Sequence, residues 1–332
     1  MKTKVFYIER KPSSSVSIEK VFRQVVKNLN KEKFIASFQQ LLYGNNGMGT
    51  VKNLLFFRKP DADIYHITGH IHYIALILPK KKTVLTIHDV GILHIRSGLR
   101  RYILKKILLD LPIKKLKYIT AVSETTKEQI IKHTGCVPEK IRVIENPLQE
   151  HFSASAKKEF NSECPTILQI GTTYNKNLKN LIKALKGVNC RLRIIGELDG
   201  EINNLLKINN INFENTFGLS DSAIRDEYQK ADIVTFCSTF EGFGLPIIEA
   251  QAMVTPVITS NISPLKEVAG NAAVLADPND YMNIRKGILH IINDKQYRNE
   301  LVSAGLENVK RFHPVQIAVQ YENLYAEMTA SL

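Results

Sequence analysis

Two glutamates separated by a glycine-rich loop are the most chemically informative residues of this chain. Glu241 and Glu249 flank the run Gly-Phe-Gly-Leu-Pro, which follows the apolar stretch 233–236. That stretch predicts a buried strand of a parallel sheet, and Pro246 suits the start of a helix that would carry Glu249 in its first turn. Ligands bind beyond the carboxyl ends of such strands, and a helix start beside glycines offers backbone amides to an anion. Because carboxylates repel phosphate, we expect the two glutamates to meet the sugar and ribose hydroxyls of a nucleotide sugar.

A second segment repeats the order strand, glycine turn, basic residue and helix. Gly171 follows the apolar run 166–170, and Lys176 precedes a helical pattern beginning at 177. The helix start and the lysine together predict a site for a diphosphate. The residues expected to bind the donor are Gly171, Thr172, Asn175 and Lys176 in this segment and Gly242, Phe243, Gly244, Leu245 and Glu249 in the first.

The two segments resemble the donor-binding motifs of retaining glycosyltransferase family 4, the glycosyl transferases group 1, which have the GT-B fold. Residues 236–253 resemble the family's glutamate motif, and 171–178 resemble its Gly-Thr, basic pair and Asn-Leu motif. This sequence departs from the family at Asn175, where an arginine is usual. One fixed positive charge fewer would then face the diphosphate, unless another basic residue supplies it.

A histidine in the first half extends the resemblance. The sequence Thr-Ile-His-Asp at 86–89 resembles the motif whose histidine, here His88, reaches the transferred sugar. A histidine that is only structural at a strand end is the alternative. The resemblance covers about residues 60–330.

Strands alternate with helices through both halves of the 332 residues, which is typical of parallel, doubly wound sheets. The resemblance implies GT-B architecture, an α/β fold of two Rossmann-like domains that face a central cleft. We expect an acceptor-binding domain over 1–150, a nucleotide-sugar-binding domain over 164–311 and a C-terminal helix over 312–332 that crosses back to the first domain. The serine-rich loop 11–17 would either bind acceptor or phosphate or cap the helix that follows.

Composition narrows the class of protein. The net charge of +13 favours an anionic partner, and no apolar run approaches the roughly 20 residues that span a bilayer. The first strand is followed at once by charged residues, so it does not resemble a secretory signal. Four isolated cysteines indicate reduced thiols in a cytoplasmic protein.

Much of the positive charge is concentrated at 96–117, where arginines and lysines alternate with leucines and isoleucines. This pattern predicts an amphipathic basic helix. It either rests on an anionic membrane surface, as a peripheral contact at the inner face, or is an ordinary surface helix with solvated lysines.

The resemblance implies transfer of a hexosyl unit from a nucleotide diphosphate sugar to a hydroxyl of a glycan or lipid-linked acceptor, with retention and without a metal or a separate cofactor. Glu241, His88 and Lys176 are the expected catalytic residues. Glu241 would contact the sugar ring and Glu249 the ribose, while Lys176 and the amides at 243–245 would stabilise the leaving diphosphate. The departing phosphate oxygen would act as the base.

Two other functions fit parts of the sequence. A sugar-nucleotide epimerase can share the fold and needs no acceptor. A non-catalytic basic module for nucleic acid fits the charge, but the chain lacks the stripe of aromatic and basic residues that stacks bases, so no nucleic-acid partner is expected.

Overall fold

The computed structural model describes residues 2–11, 17–91, 93, 98–153 and 159–331. Contacts within the chain divide it into two compact units. Unit 1 comprises Met1–Pro147 together with His313–Leu332, and unit 2 comprises Leu148–Phe312. The serine hydroxyls at 13–15, for which acceptor binding or helix capping is predicted, lie outside the described residues.

The described part of unit 1 is built on a six-stranded parallel sheet with the order β2-β1-β3-β4-β5-β6. Every residue of β3 and β4 is buried, as expected for strands covered by helices on both faces. The strands are β1 Thr3–Glu9, β2 Phe34–Gln40, β3 Ile64–Ile67, β4 Thr83–Ile87, β5 Tyr118–Ala121 and β6 Ile141–Val143.

The helices of unit 1 pack around this sheet, and the last of them comes from the end of the chain. The basic segment predicted to be helical is helical without interruption from 98 to 115 in its described part, with a π-helical turn, Lys106–Asp110, between α3 and α4. The helices are α1 Ser17–Asn28, α2 Gly47–Phe56, α3 Gly98–Lys105, α4 Leu111–Lys115, α5 Glu124–Thr134 and, near the C-terminus, Pro314–Ala330; short 3-10 helices lie at His72–Ile77 and Pro138–Lys140.

Unit 2 has, within the described residues, a second six-stranded parallel sheet with the order β12-β11-β10-β7-β8-β9. Its strands are β7 Thr166–Ile170, β8 Arg191–Ile195, β9 Phe213–Thr216, β10 Ile233–Phe236, β11 Val257–Ser260 and β12 Val274–Ala276. Its helices are α6 Leu178–Leu185, α7 Gly200–Ile208, α8 Asp221–Lys230, α9 Leu245–Ala252, α10 Leu265–Ala269, α11 Tyr281–Asn293 and α12 Lys295–Asn308; the helix Pro314–Ala330 of unit 1 is therefore α13.

The two sheets confirm the predicted fold class of paired, doubly wound parallel α/β units. In each sheet the order of strands reverses once. The chain runs outward from β7 through β8 and β9, returns to pair β10 against the other side of β7, and continues to β11 and β12. Ligands in such sheets bind where the order reverses, which in unit 2 is the carboxyl edge of β7 and β10.

A buried polar network fastens α13 to the sheet of unit 1. The Tyr325 hydroxyl lies 2.9 Å from the Tyr7 hydroxyl and 2.6 Å from His66 Nδ1. On its other side, His66 Nε2 lies 2.7 Å from Thr86 Oγ1. Buried polar groups of this kind are stabilising only when they are paired, so this network fixes the position of the helix on the sheet.

Burial keeps three histidines of unit 1 uncharged. Desolvation is the largest cause in each case, lowering the pKa of His66 to about 3 and the pKa values of His72 and His88 to about 4. A neighbouring histidine lowers each value further. All three are therefore neutral imidazoles near pH 7, able to accept a hydrogen bond at one ring nitrogen.

These histidines predict that unit 1 loses stability in mild acid. The unfolded chain takes up protons below pH 6.5, the ordinary histidine value, whereas the folded chain does not until about pH 4. The free energy of unfolding should therefore fall as the pH drops from 6.5 towards 5, by up to about 1.4 kcal/mol per pH unit for each histidine. Denaturant titrations across this range measure the slope.

The half-exposed His290 of unit 2 provides the matched control. His72→Gln should reduce the slope, whereas His290→Gln should leave it close to that of the parent protein. Equal slopes in all three proteins would show that buried histidines do not cause the acid sensitivity.

Candidate functional site

The residues predicted to bind the donor lie where the strand order of unit 2 reverses. β7 ends at Ile170 and leads into Gly171, while β10 ends at Phe236 and leads into the loop that carries Glu241. The two strands pair in parallel, so both loops emerge at the same edge of the sheet. The structure thus brings together two segments that are 65 residues apart in the chain.

Lys176 and Glu241 are in direct contact. Lys176 Nζ donates to Glu241 Oε1 at 2.6 Å, and the side chains are 20% and 15% exposed. The ammonium also lies 4.5 Å from the centre of the Phe236 ring, within the range of a cation–π interaction. The cation predicted for the diphosphate and the carboxylate predicted for the sugar therefore neutralise each other in this structure.

Asn175, at the position where the resemblance leads us to expect an arginine, holds the glutamate loop. Its Nδ2 donates to Glu241 Oε1 at 3.2 Å and to the Phe240 carbonyl at 3.0 Å. The backbone carbonyl of Asn175 accepts a hydrogen bond from the Thr239 backbone amide at 2.8 Å. Asn175 therefore orients Glu241 without adding charge.

Two further side chains, which the sequence analysis did not identify, tie the loops together. Gln169 is buried on β7, where its amide donates to the Gly171 and Lys176 carbonyls and accepts from Thr235. Asn177 Nδ2 donates to the Cys237 carbonyl at 3.0 Å, across the gap between the two loops. The position of Gln169 inside an otherwise apolar strand could have indicated its role from the sequence.

Because Gly171 has no side chain, the Lys176 side chain can pack directly against its backbone. Its φ of +85° lies in the left-handed region, and a β-carbon there would meet Cγ and Cε of Lys176 at 3.0 Å. Thr172 follows, and its hydroxyl donates to the Glu197 carbonyl at 2.5 Å, which joins the loop after β7 to the loop after β8. The aliphatic stem of Lys176 thus rests directly on glycine backbone.

The start of α9 faces the same edge of the sheet. Gly244 is the N-cap, with φ of +118°, and it has no side chain to cap the helix. Phe243 is buried against the ring edge of Phe312, which fixes the backbone in front of the cap. The positive end of the helix dipole and the glycine backbone at 242 and 244 suit an anion.

Glu249 lies one residue further along α9 than expected. Leu245 rather than Pro246 opens the helix, so Glu249 is in the second turn. The fully buried Tyr228 donates its hydroxyl to Glu249 Oε2 at 2.6 Å. Burial, and then the charge of Glu249, raise the pKa of Tyr228 well above its ordinary value, so the phenol stays protonated and fixes the carboxylate. Sequence reasoning did not identify Tyr228.

His88 belongs to unit 1, at the carboxyl end of β4. Its Nε2 lies 2.9 Å from the Thr68 carbonyl, which must accept, so Nε2 carries the proton. Because His88 is neutral, its Nδ1 carries a lone pair that can accept a hydrogen bond from a hydroxyl group. Beside it, His70 lies 3.6 Å from Asp89.

The Asp-x-Asp triplet of the sequence, Asp61 and Asp63, lies just before β3, at the amino end of the sheet. Asp61 pairs with the Lys4 ammonium at 3.0 Å, and Asp63 accepts the Lys4 amide at 2.8 Å. Elsewhere in the described ranges, no three His, Cys, Asp or Glu side chains are grouped so that they could hold a metal ion.

No described helix has both the length and the apolar character to cross a bilayer.

Two family models match the chain in succession. The model for "Glycosyltransferase Family 4" matches residues 31–151, and the model for "Glycosyl transferases group 1" matches residues 151–308. Between them they cover every strand of the two sheets except β1, and every residue predicted to bind the donor.

Individual relatives agree with these models. The O-antigen chain mannosyltransferase RfbU of Salmonella typhimurium is 28% identical over 64% of this chain and 61% of its own length, which is less than two thirds of that relative. An uncharacterized glycosyltransferase of Methanocaldococcus jannaschii is 26% identical over 89% of this chain and 83% of its own. Anabaena HepE, solved in complex with UDP-glucose, has a TM-score of 0.80 at 17% identity, covering 99% of this chain and all of HepE, which shows the same fold.

The contact between Gly171 and Lys176 gives a test of the site's construction. Gly171→Ala should destabilise unit 2 by about 1–2 kcal/mol for the left-handed backbone and by a further amount because the lysine stem must move. Gly187→Ala is the matched control, since Gly187 also has a positive φ, +72°, but no atom within 4 Å of its would-be β-carbon. Thermal unfolding compares the two variants, and equal losses would show that the close approach is unimportant.

Proposed function

Because the chain belongs to the glycosyltransferases that the family 4 and group 1 models describe, we propose that it transfers a hexosyl unit from a nucleotide diphosphate sugar to a hydroxyl acceptor, with retention. The observation that carries this proposal is the contact between Lys176 and Glu241 beside the start of α9. A cation, a carboxylate and helix amides at one sheet edge match the diphosphate and hydroxyl groups of such a donor. The complex of HepE with UDP-glucose supports the class of donor.

In the proposed reaction, Lys176 and the backbone at 243–245 stabilise the charge that develops on the leaving diphosphate. The bond from the sugar's anomeric carbon to the phosphate oxygen breaks, and the acceptor oxygen forms its bond on the same face. The freed phosphate oxygen takes the acceptor's proton, so no protein base and no metal enters. Donor binding therefore exchanges the Lys176–Glu241 ion pair for one between Lys176 and phosphate, and Glu241 turns to the sugar hydroxyls.

The two remaining side chains have supporting roles in this proposal. Glu249, fixed by Tyr228, accepts hydrogen bonds from the ribose. His88 accepts a hydrogen bond from a hydroxyl of the transferred sugar. Its pKa of about 4 means that it stays neutral throughout the physiological range and cannot act as a general base that switches near pH 7.

We further propose a glycan or lipid-linked acceptor in polysaccharide synthesis, at the inner face of a cytoplasmic membrane. The similarity to an O-antigen chain mannosyltransferase and to the capsular polysaccharide glycosyltransferase CapM supports this class of acceptor. The basic segment supports the location, since α3 buries none of its residues and exposes Leu99 and Tyr102 beside two arginines. Of the predicted span 96–117, residues 96 and 97 lie outside the described part of the chain.

Thermal-shift titration with UDP-, GDP- and ADP-sugars tests the donor class, because a ligand that binds the folded state raises the unfolding temperature. One nucleotide sugar should stabilise the protein, and Lys176→Ala should weaken its binding about tenfold to a hundredfold, the equivalent of a lost charge-assisted hydrogen bond. Lys179→Ala, on the exposed ion pair with Glu201, is the control. Stabilisation by none of the donors, or conversion of the donor to its epimer without acceptor, would contradict the proposal.

Alanine substitutions of Glu241 and Glu249 should change different steady-state kinetic constants. Glu249→Ala should chiefly raise the KM for the donor, because ribose contacts are made equally before and during reaction. Glu241→Ala should chiefly lower kcat, because its contacts with the sugar strengthen as positive charge develops. Tyr228→Phe should also raise the KM for the donor, but by less than Glu249→Ala, since it removes only the hydrogen bond to Glu249 and keeps the ring. The reverse pattern for the glutamates would exchange their roles.

A further inference from the structure

Helix α2 of unit 1 is built with its apolar side facing outward. Its buried residues are the small Gly49 and the polar Asn53. Of the five large apolar side chains of the helix, Leu54 is half-buried against the core and the other four are exposed: Met48 at 70%, Val51 at 54%, Leu55 at 72% and Phe56 at 60%. The spacing 48, 51 and 55 places three of them on one face, with Phe56 beside them.

Polar contacts on the inner side fix this orientation. Asn53 Nδ2 donates to the Tyr43 carbonyl and to the Tyr73 hydroxyl, both at 2.9 Å, and Asn53 Oδ1 accepts the Tyr43 amide at 3.2 Å. Asn46 caps the helix by accepting the Gly49 amide at 2.7 Å. A β-carbon at Gly49 would lie 2.1 Å from the Gly44 carbonyl oxygen, so only glycine fits there. Rotating the helix to bury its apolar face would break all of these contacts.

Four large exposed apolar side chains grouped on one helix exceed the scattered single ones that are normal on a protein surface, and they indicate a surface that contacts an apolar partner. Its surroundings indicate what covers it. Residues 42–60 contain Lys52, Arg58 and Lys59 and no aspartate or glutamate. Lys52 lies one turn from both Met48 and Phe56, so a cation stands within the apolar face itself.

The position of α2 in unit 1 gives a second indication. The 3-10 helix at 72–77 contacts α2, and it also contacts the π-helical turn and α4 of the basic segment. Besides α2, the same short helix therefore borders a segment that carries Lys106, Lys114 and Lys115 and exposes Leu111. Ile77 at its end is also exposed.

We propose that α2 is a membrane-docking helix, which lies in the plane of an anionic bilayer with Met48, Val51, Leu55 and Phe56 buried among the acyl chains and Lys52, Arg58 and Lys59 at the headgroups. Apolar insertion and attraction to anionic lipid add together in such helices. The inference rests on the proposed membrane location and deepens it by identifying the element that inserts. It does not depend on sugar transfer.

The chain contains no tryptophan, so a single introduced one reports insertion directly. Phe56→Trp should shift its emission to the blue, and be quenched by bromine-labelled lipid, when phosphatidylglycerol vesicles are added. Pure phosphatidylcholine vesicles should give a much smaller response. Ile208→Trp, on an exposed apolar position of unit 2, is the matched control and should not respond. A Phe56→Trp signal unchanged by anionic vesicles would overturn the proposal.

Vesicle co-sedimentation measures the contribution to binding. Leu55→Ser with Phe56→Ser should lower the partition coefficient on phosphatidylglycerol vesicles by about tenfold or more, because two largely exposed side chains lose their burial in lipid. Val137→Ser with Ile208→Ser removes equally exposed apolar groups elsewhere and should leave binding unchanged. Unchanged binding of the α2 variant, with loss only on Arg100→Ser and Arg101→Ser, would assign docking to the basic segment and overturn the role of α2.

Two further readouts separate this proposal from its alternatives. A dimer in solution that Leu55→Ser and Phe56→Ser dissolve would show that a second copy covers the face, which contradicts lipid docking. Thermal shift by the nucleotide sugar should be the same in the α2 variants and the parent protein. Docking without any donor binding would contradict the transferase proposal and leave the docking proposal intact.

Discussion

The candidate site depends on a small set of hydrogen bonds that hold two loops together at the carboxyl edge of β7 and β10. Asn177 spans from one loop to the Cys237 carbonyl, Asn175 reaches the Phe240 carbonyl, and Gln169 supports both Gly171 and Lys176 from below. Each of these hydrogen bonds is donated by a side-chain amide, so they hold the loops together without adding charge. The strand pairing places the loops side by side, but these amides set the distance between the charged groups.

Charge balance at this edge follows from that arrangement. With an asparagine at 175, the loop after β7 brings one ammonium, and the nearby carboxylate of Glu241 cancels it. An arriving diphosphate would meet Lys176 only by displacing Glu241, while the helix amides at α9 would be available without such an exchange. We therefore expect the dipole of α9 to carry more of the diphosphate binding here than in relatives with an arginine at this position.

The alternation of apolar strands and helices was sufficient to predict two parallel doubly wound units, because burial on both faces of a sheet dictates that pattern. Spacing also placed the glycine turns and the glutamate loop correctly at strand ends. It could not reveal that Lys176 and Glu241 touch, since a contact across 65 residues depends on which strands pair. Tyr228 and Asn177 were missed for the same reason: each acts on a partner that is distant in the sequence.

The orientation of helix α2 could not be predicted from the sequence for a different reason. Periodicity identifies an apolar face but assumes that this face turns inward, because burial of apolar surface normally dominates packing. Here a single asparagine with three hydrogen bonds, and a glycine that admits close backbone contact, select the opposite side. An inward-facing Asn53 would be costly without partners, yet with them it directs four apolar side chains to the surface. Such an arrangement suits contact with an apolar phase, because the four exposed side chains would there leave water without disturbing the contacts of Asn53.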